Sequence, residues 1–364
     1  MRVFPAHDKP VRVLRQYPCH MKQIWITKAG NVGVLQVREA PDLTPGPGEV
    51  AIDVKAAGVN FADVLARVGM YPDAPPIPCV VGYEVAGTVA AVGPRVAEGD
   101  EVPFAAGDRV VALTRFGGYS TKVAVPAAHV FAMPDAMSFA EAAAIPVNYF
   151  TAYLAVVRFG NLQRNERILI HNAGGGVGIA AAQIARDIGA RVLGTASAWK
   201  HERLLELGVD HAIDYRTHDW ERAVMDHTAG GGVHVVVDPI GGRNLKKDLR
   251  VLAPLGRLIG FGFSEPVRDG RRSLLRAIGS LIGMPRPHFV TLLNSNWMVG
   301  GLNLGHLWSE IDRLRGVGEA VLDGWSRGAL RPVIHARVPF DDPAESHRLL
   351  QERENLGKVV LDNE

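Results

Sequence analysis

One stretch limits this chain more than any other. It runs Arg167-Ile168-Leu169-Ile170-His171-Asn172, then Ala173-Gly174-Gly175-Gly176-Val177-Gly178, then Ile179-Ala180-Ala181-Ala182-Gln183-Ile184-Ala185. A short apolar run of strand character leads into a glycine-rich turn. A helix rich in alanine and isoleucine leads out. That order is the context a dinucleotide fingerprint requires. The tight turn gathers backbone N–H groups at a helix N-terminus, where a pyrophosphate is favoured. Gly175 removes a side chain where the phosphate approaches, and Gly178 lets the helix sit close to the strand. Aligned on those two glycines, the motif reads Ala-x-Gly-x-x-Gly, with Ala173 in the first position.

The next strand, Arg191-Val192-Leu193-Gly194-Thr195-Ala196, ends where the second turn of such a unit falls. An acidic residue there would bond a ribose 2′-OH and select NAD. The residue is Ser197, with Lys200 within one turn of it. A hydroxyl and a cation suit a 2′-phosphate, so the expected cofactor is NADP(H). The competing account of Lys200 is a solvated lysine at a helix start.

A chain of 364 residues is long enough for two domains, each with its own core. Hydrophobic residues make up 47% and charged residues 21%, an ordinary globular balance. A net charge of +2 offers no bulk attraction for nucleic acid or an anionic membrane. Cys19 and Cys79 are too few for a disulfide framework or a cysteine-rich metal site, and a reducing, cytoplasmic setting is expected. No apolar run is long enough to span a bilayer, so stable membrane insertion is not expected. Residues 1–20, with Pro5, Pro10 and Pro18, read as a poorly ordered extension, with Met21 as an alternative start.

From 21 to 147 short strands alternate with proline and glycine turns, the pattern of a partly closed barrel. From 148 to 302 strands and helices alternate. Six candidate strands, at 168–171, 192–196, 211–213, 233–238, 257–262 and 297–300, fit a doubly wound parallel sheet. The apolar stretch Ser273–Gly283, followed by Pro285 and Pro287, reads as a lid, a dimer contact or a core helix. The tail from 303 carries two helical segments, Trp308–Leu314 and Glu319–Arg327. A strand at Val333–Val338, a helix at Pro343–Arg353 and a strand at 357–361 follow. The tail is expected to rejoin the β domain, which makes the nucleotide domain an insertion.

Further motifs carry a family resemblance. Ala57-Gly58-Val59-Asn60-Phe61-Ala62-Asp63, Gly69-Met70-Tyr71-Pro72 and Gly82-Tyr83-Glu84-Val85-Ala86-Gly87 resemble the medium-chain dehydrogenase/reductase superfamily. Within it the chain looks most like the zinc-independent quinone oxidoreductases of the zeta-crystallin type. Val147-Asn148-Tyr149-Phe150-Thr151-Ala152-Tyr153, Gly208-Val209-Asp210-His211-Ala212-Ile213-Asp214-Tyr215 and Asp238-Pro239-Ile240-Gly241-Gly242 point to the vesicle amine transport protein 1-like branch. The resemblance covers about 21–364. It implies a GroES-like β-barrel domain, a Rossmann domain, a cleft between them and a homodimer. It also implies NADPH-dependent reduction of quinones or α,β-unsaturated carbonyls. An enoyl-thioester reductase, or a low-turnover NADPH-binding protein acting through partner or lipid contacts, are the alternatives.

Zinc-dependent members place a cysteine at the position of Asn60 and a histidine at that of Tyr83. An amide and a phenol are poor zinc ligands, so no metal is expected. By the resemblance, Asn60 and Tyr71 face the acceptor oxygen on the substrate side, with Asp63 beside them. Asn148 and Thr151 lie near the nicotinamide. Phe261 and Gly262 follow the fifth strand against the nicotinamide ribose or amide. Asn303 and Lys358 reach the cofactor from the tail, and Tyr215 stacks near the adenine.

Overall fold

The apolar runs around the glycine turn become the middle of a six-stranded parallel sheet. Its spatial order is His211–Asp214, Arg191–Ala196, Arg167–Ile170, Val233–Asp238, Leu252–Gly260 and Met298–Gly301. In chain order this is 3-2-1-4-5-6, the doubly wound arrangement. The order reverses between Arg167–Ile170 and Val233–Asp238, and the crevice beyond their carboxyl ends is where such sheets hold ligands. Helix Gly176–Ile188 leaves the first strand and buries Ile179, Ala180, Ala181, Ala182, Ile184 and Ala185. The run of alanines gives it the small face that close helix–sheet packing needs. Gly189, at φ 87°, ends it in the left-handed region that glycine takes without a Cβ penalty.

The structure, a computed structural model, describes residues 19–96, 102–263, 267–268, 271–272, 279 and 283–364. The expected N-terminal extension up to residue 18, and nearly all of the apolar stretch at 273–283, lie outside the described residues. The first strand starts at Cys19, two residues before Met21, and pairs antiparallel with Leu35–Pro41.

A second sheet of seven strands carries the other half of the molecule. Glu49–Val59 is its longest strand and pairs with Glu84–Val92, Lys122–Pro126 and Lys358–Asp362. Ile334–Pro339 runs parallel to Lys358–Asp362, so the chain's last strands lie in this sheet and not in the parallel one. Its core is built from alternating inward residues such as Ile52, Val54, Val85, Val110 and Leu361. The two helical segments expected at 308–327 are instead one helix, Ile311–Ser326, preceded by a short 3-10 turn, Leu304–Leu307. Among the described residues no helix is long and apolar enough to cross a membrane.

Candidate functional site

A cleft of about 680 Å³ runs between the two sheets. Its middle is the glycine turn. Asn172 takes φ 53° and its carbonyl accepts from Gly175 N at 2.9 Å, which closes the turn. Gly175 is the N-cap of the following helix and has no side chain with which to cap it. A Cβ on Gly176 would stand 2.1 Å from Asn148 Nδ2, and one on Gly178 would stand 2.4 Å from the Asn172 carbonyl. Gly175, Gly176 and Val177 line the cleft. Ala173, Gly174 and Gly178, the other turn residues expected at the cofactor, do not line it. Ala173 is buried, and Gly178 sits against the backbone of the turn at Asn172 and Ala173. Gly174 lies under Lys200, whose Cδ would be 2.6 Å from a Cβ there.

At one end of the cleft stand Ser197, Lys200, Tyr215 and Arg353. Lys200 is 4% exposed, so it is not the solvated lysine of the competing account. Its Nζ donates to the Asn355 carbonyl. Burial, the largest influence, pushes its ammonium down to about 8. Burial raises the Tyr215 phenol, but contacts from Ser197, Arg216 and Arg353 outweigh that and leave it below its usual value. Arg353 was absent from the sequence expectation. It precedes a tail segment that pairs with the glycine turn, since Gly357 N donates to Gly174 O at 2.9 Å.

At the other end Asn60 is the N-cap of helix Phe61–Arg67. Its Oδ1 accepts from Lys358 Nζ at 2.6 Å and its Nδ2 donates to Glu84 Oε1 at 2.9 Å. Lys358 therefore reaches across to the substrate side. Tyr71 lines the cleft edge-on to Tyr83, with ring centroids 6.3 Å apart. Burial foremost raises the Tyr71 phenol, so it stays protonated. Asp63 is fully buried and does not line the cleft, which corrects its expected catalytic place. It accepts from Asn60 N at 2.8 Å, Gly82 N at 3.2 Å and the Tyr119 hydroxyl at 3.1 Å. Burial pushes its carboxyl up to about 7.

Asn148, Thr151, Phe261 and Asn303 line the middle. Asn303 spends its side chain locally, on Asp73 Oδ2 at 3.2 Å and on Gly305 N. Gly262 does not line the cleft, and a Cβ there would meet the Pro239 carbonyl at 2.7 Å. Sequence reading also missed a buried group below the turn. His171 bonds Thr195 Oγ1 at 2.9 Å and Asp248 Oδ1 at 2.8 Å. Asp238 accepts from Gly241 N at 3.3 Å and Asn244 Nδ2 at 3.3 Å. Burial pushes Asp238 and Asp248 up to about 7.

The residues at the family's zinc position do not fit that metal. Asn60 Oδ1 and Glu84 Oε1 are both occupied by the Lys358 ammonium, which would repel a dication. The Tyr83 phenol is pushed up by burial and keeps its proton.

Residues 46–135 match the alcohol dehydrogenase GroES-like domain family, and residues 176–284 match the zinc-binding dehydrogenase family. The human synaptic vesicle membrane protein VAT-1 homolog is 40% identical over 328 residues, which span 90% of this chain and 82% of that protein. Among solved structures, the Escherichia coli quinone oxidoreductase complexed with NADPH superposes with a TM-score of 0.81 at 28% identity, covering 94% of this chain and 100% of its own. The CurK enoyl reductase superposes with a TM-score of 0.79 at 30% identity, covering 94% and 99%.

Proposed function

The chain belongs to the medium-chain dehydrogenase/reductase superfamily, in its VAT-1-like branch, and from that premise we propose that it is an NADPH-dependent reductase of quinones or α,β-unsaturated carbonyls. One observation carries this reading. A single cleft joins a cationic end, a glycine turn at a helix N-terminus and an end with amide and phenol donors. Lys200 and Arg353 pair with a 2′-phosphate, beside Ser197 and Tyr215. The N-terminus of Gly176–Ile188 takes the pyrophosphate. Asn148 and Thr151 flank the nicotinamide. NADPH, when bound, supplies a hydride to the acceptor's β carbon or ring.

Asn60 and Tyr71 meet the acceptor oxygen as charge develops on it. Without a metal-ligand set, the site favours conjugated acceptors, which spread the incoming charge to a distant oxygen. The similarity to an enoyl reductase supports a second reading, enoyl-thioester reduction, in the same cleft.

The test is a panel of quinones, enones and enoyl thioesters, following loss of NADPH absorbance. Turnover of quinones or enones is expected, with thioesters slower. Thioesters alone would favour the second reading, and no turnover at all would favour a binding protein. In the Tyr71→Phe variant kcat should fall roughly 10- to 100-fold while the NADPH dissociation constant holds.

We also propose a homodimer. Met298–Gly301 is an edge strand, and Phe289, Val290, Leu293, Met298 and Val299 are exposed beside it. An exposed apolar edge suits pairing with a second copy. Sedimentation should give twice the chain mass for the wild type and a monomer for Val299→Lys. A wild-type monomer at micromolar concentration would refute the dimer.

A further inference from the structure

The Asn60 carboxamide is gripped from two sides inside the cleft wall. Its oxygen accepts from Lys358 Nζ at 2.6 Å, and its nitrogen donates to Glu84 Oε1 at 2.9 Å. Lys358 and Glu84 pair with each other at 2.5 Å, and their side chains are 4% and 0% exposed. An ammonium has only donors and an ionised carboxylate only acceptors. The Asn60 oxygen must therefore face Lys358 and its nitrogen must face Glu84. The opposite flip would set N–H against N–H and oxygen against oxygen.

The surroundings hold that grip in place. The backbone N–H of Asn60 donates to Asp63 Oδ2 at 2.8 Å. The second oxygen of Glu84 accepts from Val147 N at 2.7 Å, at the start of helix Pro146–Tyr153. Lys358 begins the last strand, directly after Gly357, which is tied to the glycine turn. The Asn60 nitrogen carries two hydrogens, and one goes to Glu84. Its other oxygen neighbour among the described residues, Gly58 O, is 3.5 Å away, beyond a strong bond. That long bond is the weaker of the two, so its N–H is the one that a ligand in the cleft lined by Asn60 can take over.

We infer that Lys358 and Glu84 are positioning residues that set the flip of Asn60, so that it offers an acceptor oxygen an N–H and not its own carbonyl. The inference rests on the reductase reading and narrows it to acceptors whose charge gathers on oxygen. Without the grip the amide is free to turn its oxygen toward the cleft, where it repels that charge.

The test is the double variant Lys358→Met/Glu84→Gln, which removes both charges and leaves no lone buried ion. Its kcat should fall on the order of 100-fold, the cost of losing one oxyanion donor, with the NADPH dissociation constant within about twofold. Lys358→Arg, still a donor only, should recover most of kcat. A role in folding alone would lower the melting temperature and leave kcat per folded molecule unchanged. A double variant with wild-type kcat, or Lys358→Arg as slow as the double variant, would overturn the inference.

A readout independent of turnover is the Asn60 side-chain amide resonance in nitrogen-labelled protein, assigned by its loss in Asn60→Ser. It should move when a quinone is added to the wild type and stay still in the double variant. A moving resonance without any turnover would defeat the reductase reading alone. A resonance that stays still in the wild type would defeat the inference.

Discussion

A Ser197→Asp variant is expected to bind NADH more tightly than NADPH, the reverse of the wild-type order. Ser197 stands at the end of Arg191–Ala196, where a carboxylate would bond a free 2′-OH and repel a 2′-phosphate. In the proposed binding mode the wild-type phosphate meets Lys200 and Arg353, which line the same end of the cleft. A charge-assisted bond from Lys200 is worth roughly 1.5–3 kcal/mol, a tenfold to hundredfold preference for NADPH. Lys200→Ala should lose that much NADPH affinity and leave NADH nearly unchanged, with Arg353 keeping part of the preference.

The same lysine sets a pH dependence. Burial holds the Lys200 ammonium down at about 8, so below that pH it is a cation and above it a neutral amine. The ratio of NADPH to NADH affinity should therefore fall as pH rises through about 8, while NADH affinity stays level. Bound phosphate favours the cation and moves the fall somewhat higher. Calorimetry with both cofactors at fixed ionic strength reads all of this, because salt screens the phosphate contact. An unchanged ratio in both Lys200→Ala and Arg353→Ala would mean that other residues select the cofactor.

Parts of the site were visible in the sequence because their physics is local. The glycine turn announces itself through a strand before it and a helix after it. Asn60 and Asp63 are three residues apart, the spacing of a capping box, a structural use of the carboxylate. Other parts depend on contacts that spacing cannot show. Lys358 and Glu84 are 274 residues apart, and no local pattern brings them together. Asp248 reads as one more charge in a polar helix, yet it is buried on His171.

The helix Ile311–Ser326 failed for a related reason. Gly316 and Gly318 fall between the two segments expected there, and glycine weakens a helix. Gly318 is there because the helix crosses aromatic rings. A Cβ would come within 2.5 Å of Phe131 and 2.9 Å of Phe150. Tertiary packing chose the residue, and propensity misread it.

That distinction between backbone and side-chain neighbours predicts two different outcomes within one turn. At Gly178 every near neighbour of an added Cβ is backbone: Asn172 O at 2.4 Å, Ala173 Cα at 2.7 Å and Ala173 C at 2.8 Å. None of these can rotate away. Gly178→Val should push helix Gly176–Ile188 off its strand and cost about 3 kcal/mol or more, the upper range of overpacking. For a chain of 364 residues, at an unfolding entropy of about 2.1 cal/mol/K per residue, that is a drop of roughly 4 °C or more in melting temperature. Cofactor binding should fail with it, because the helix N-terminus moves. At Gly174 the neighbour is Lys200 Cδ at 2.6 Å, the stem of a flexible side chain. Gly174→Ala should leave the melting temperature within about 2 °C, since the lysine can give way. It should displace the ammonium and weaken NADPH several-fold, on the order of half the Lys200→Ala effect. Differential scanning calorimetry and cofactor titration on the two variants separate the cases. A Gly178→Val protein that melts and binds like the wild type would mean that the turn is looser than these distances allow.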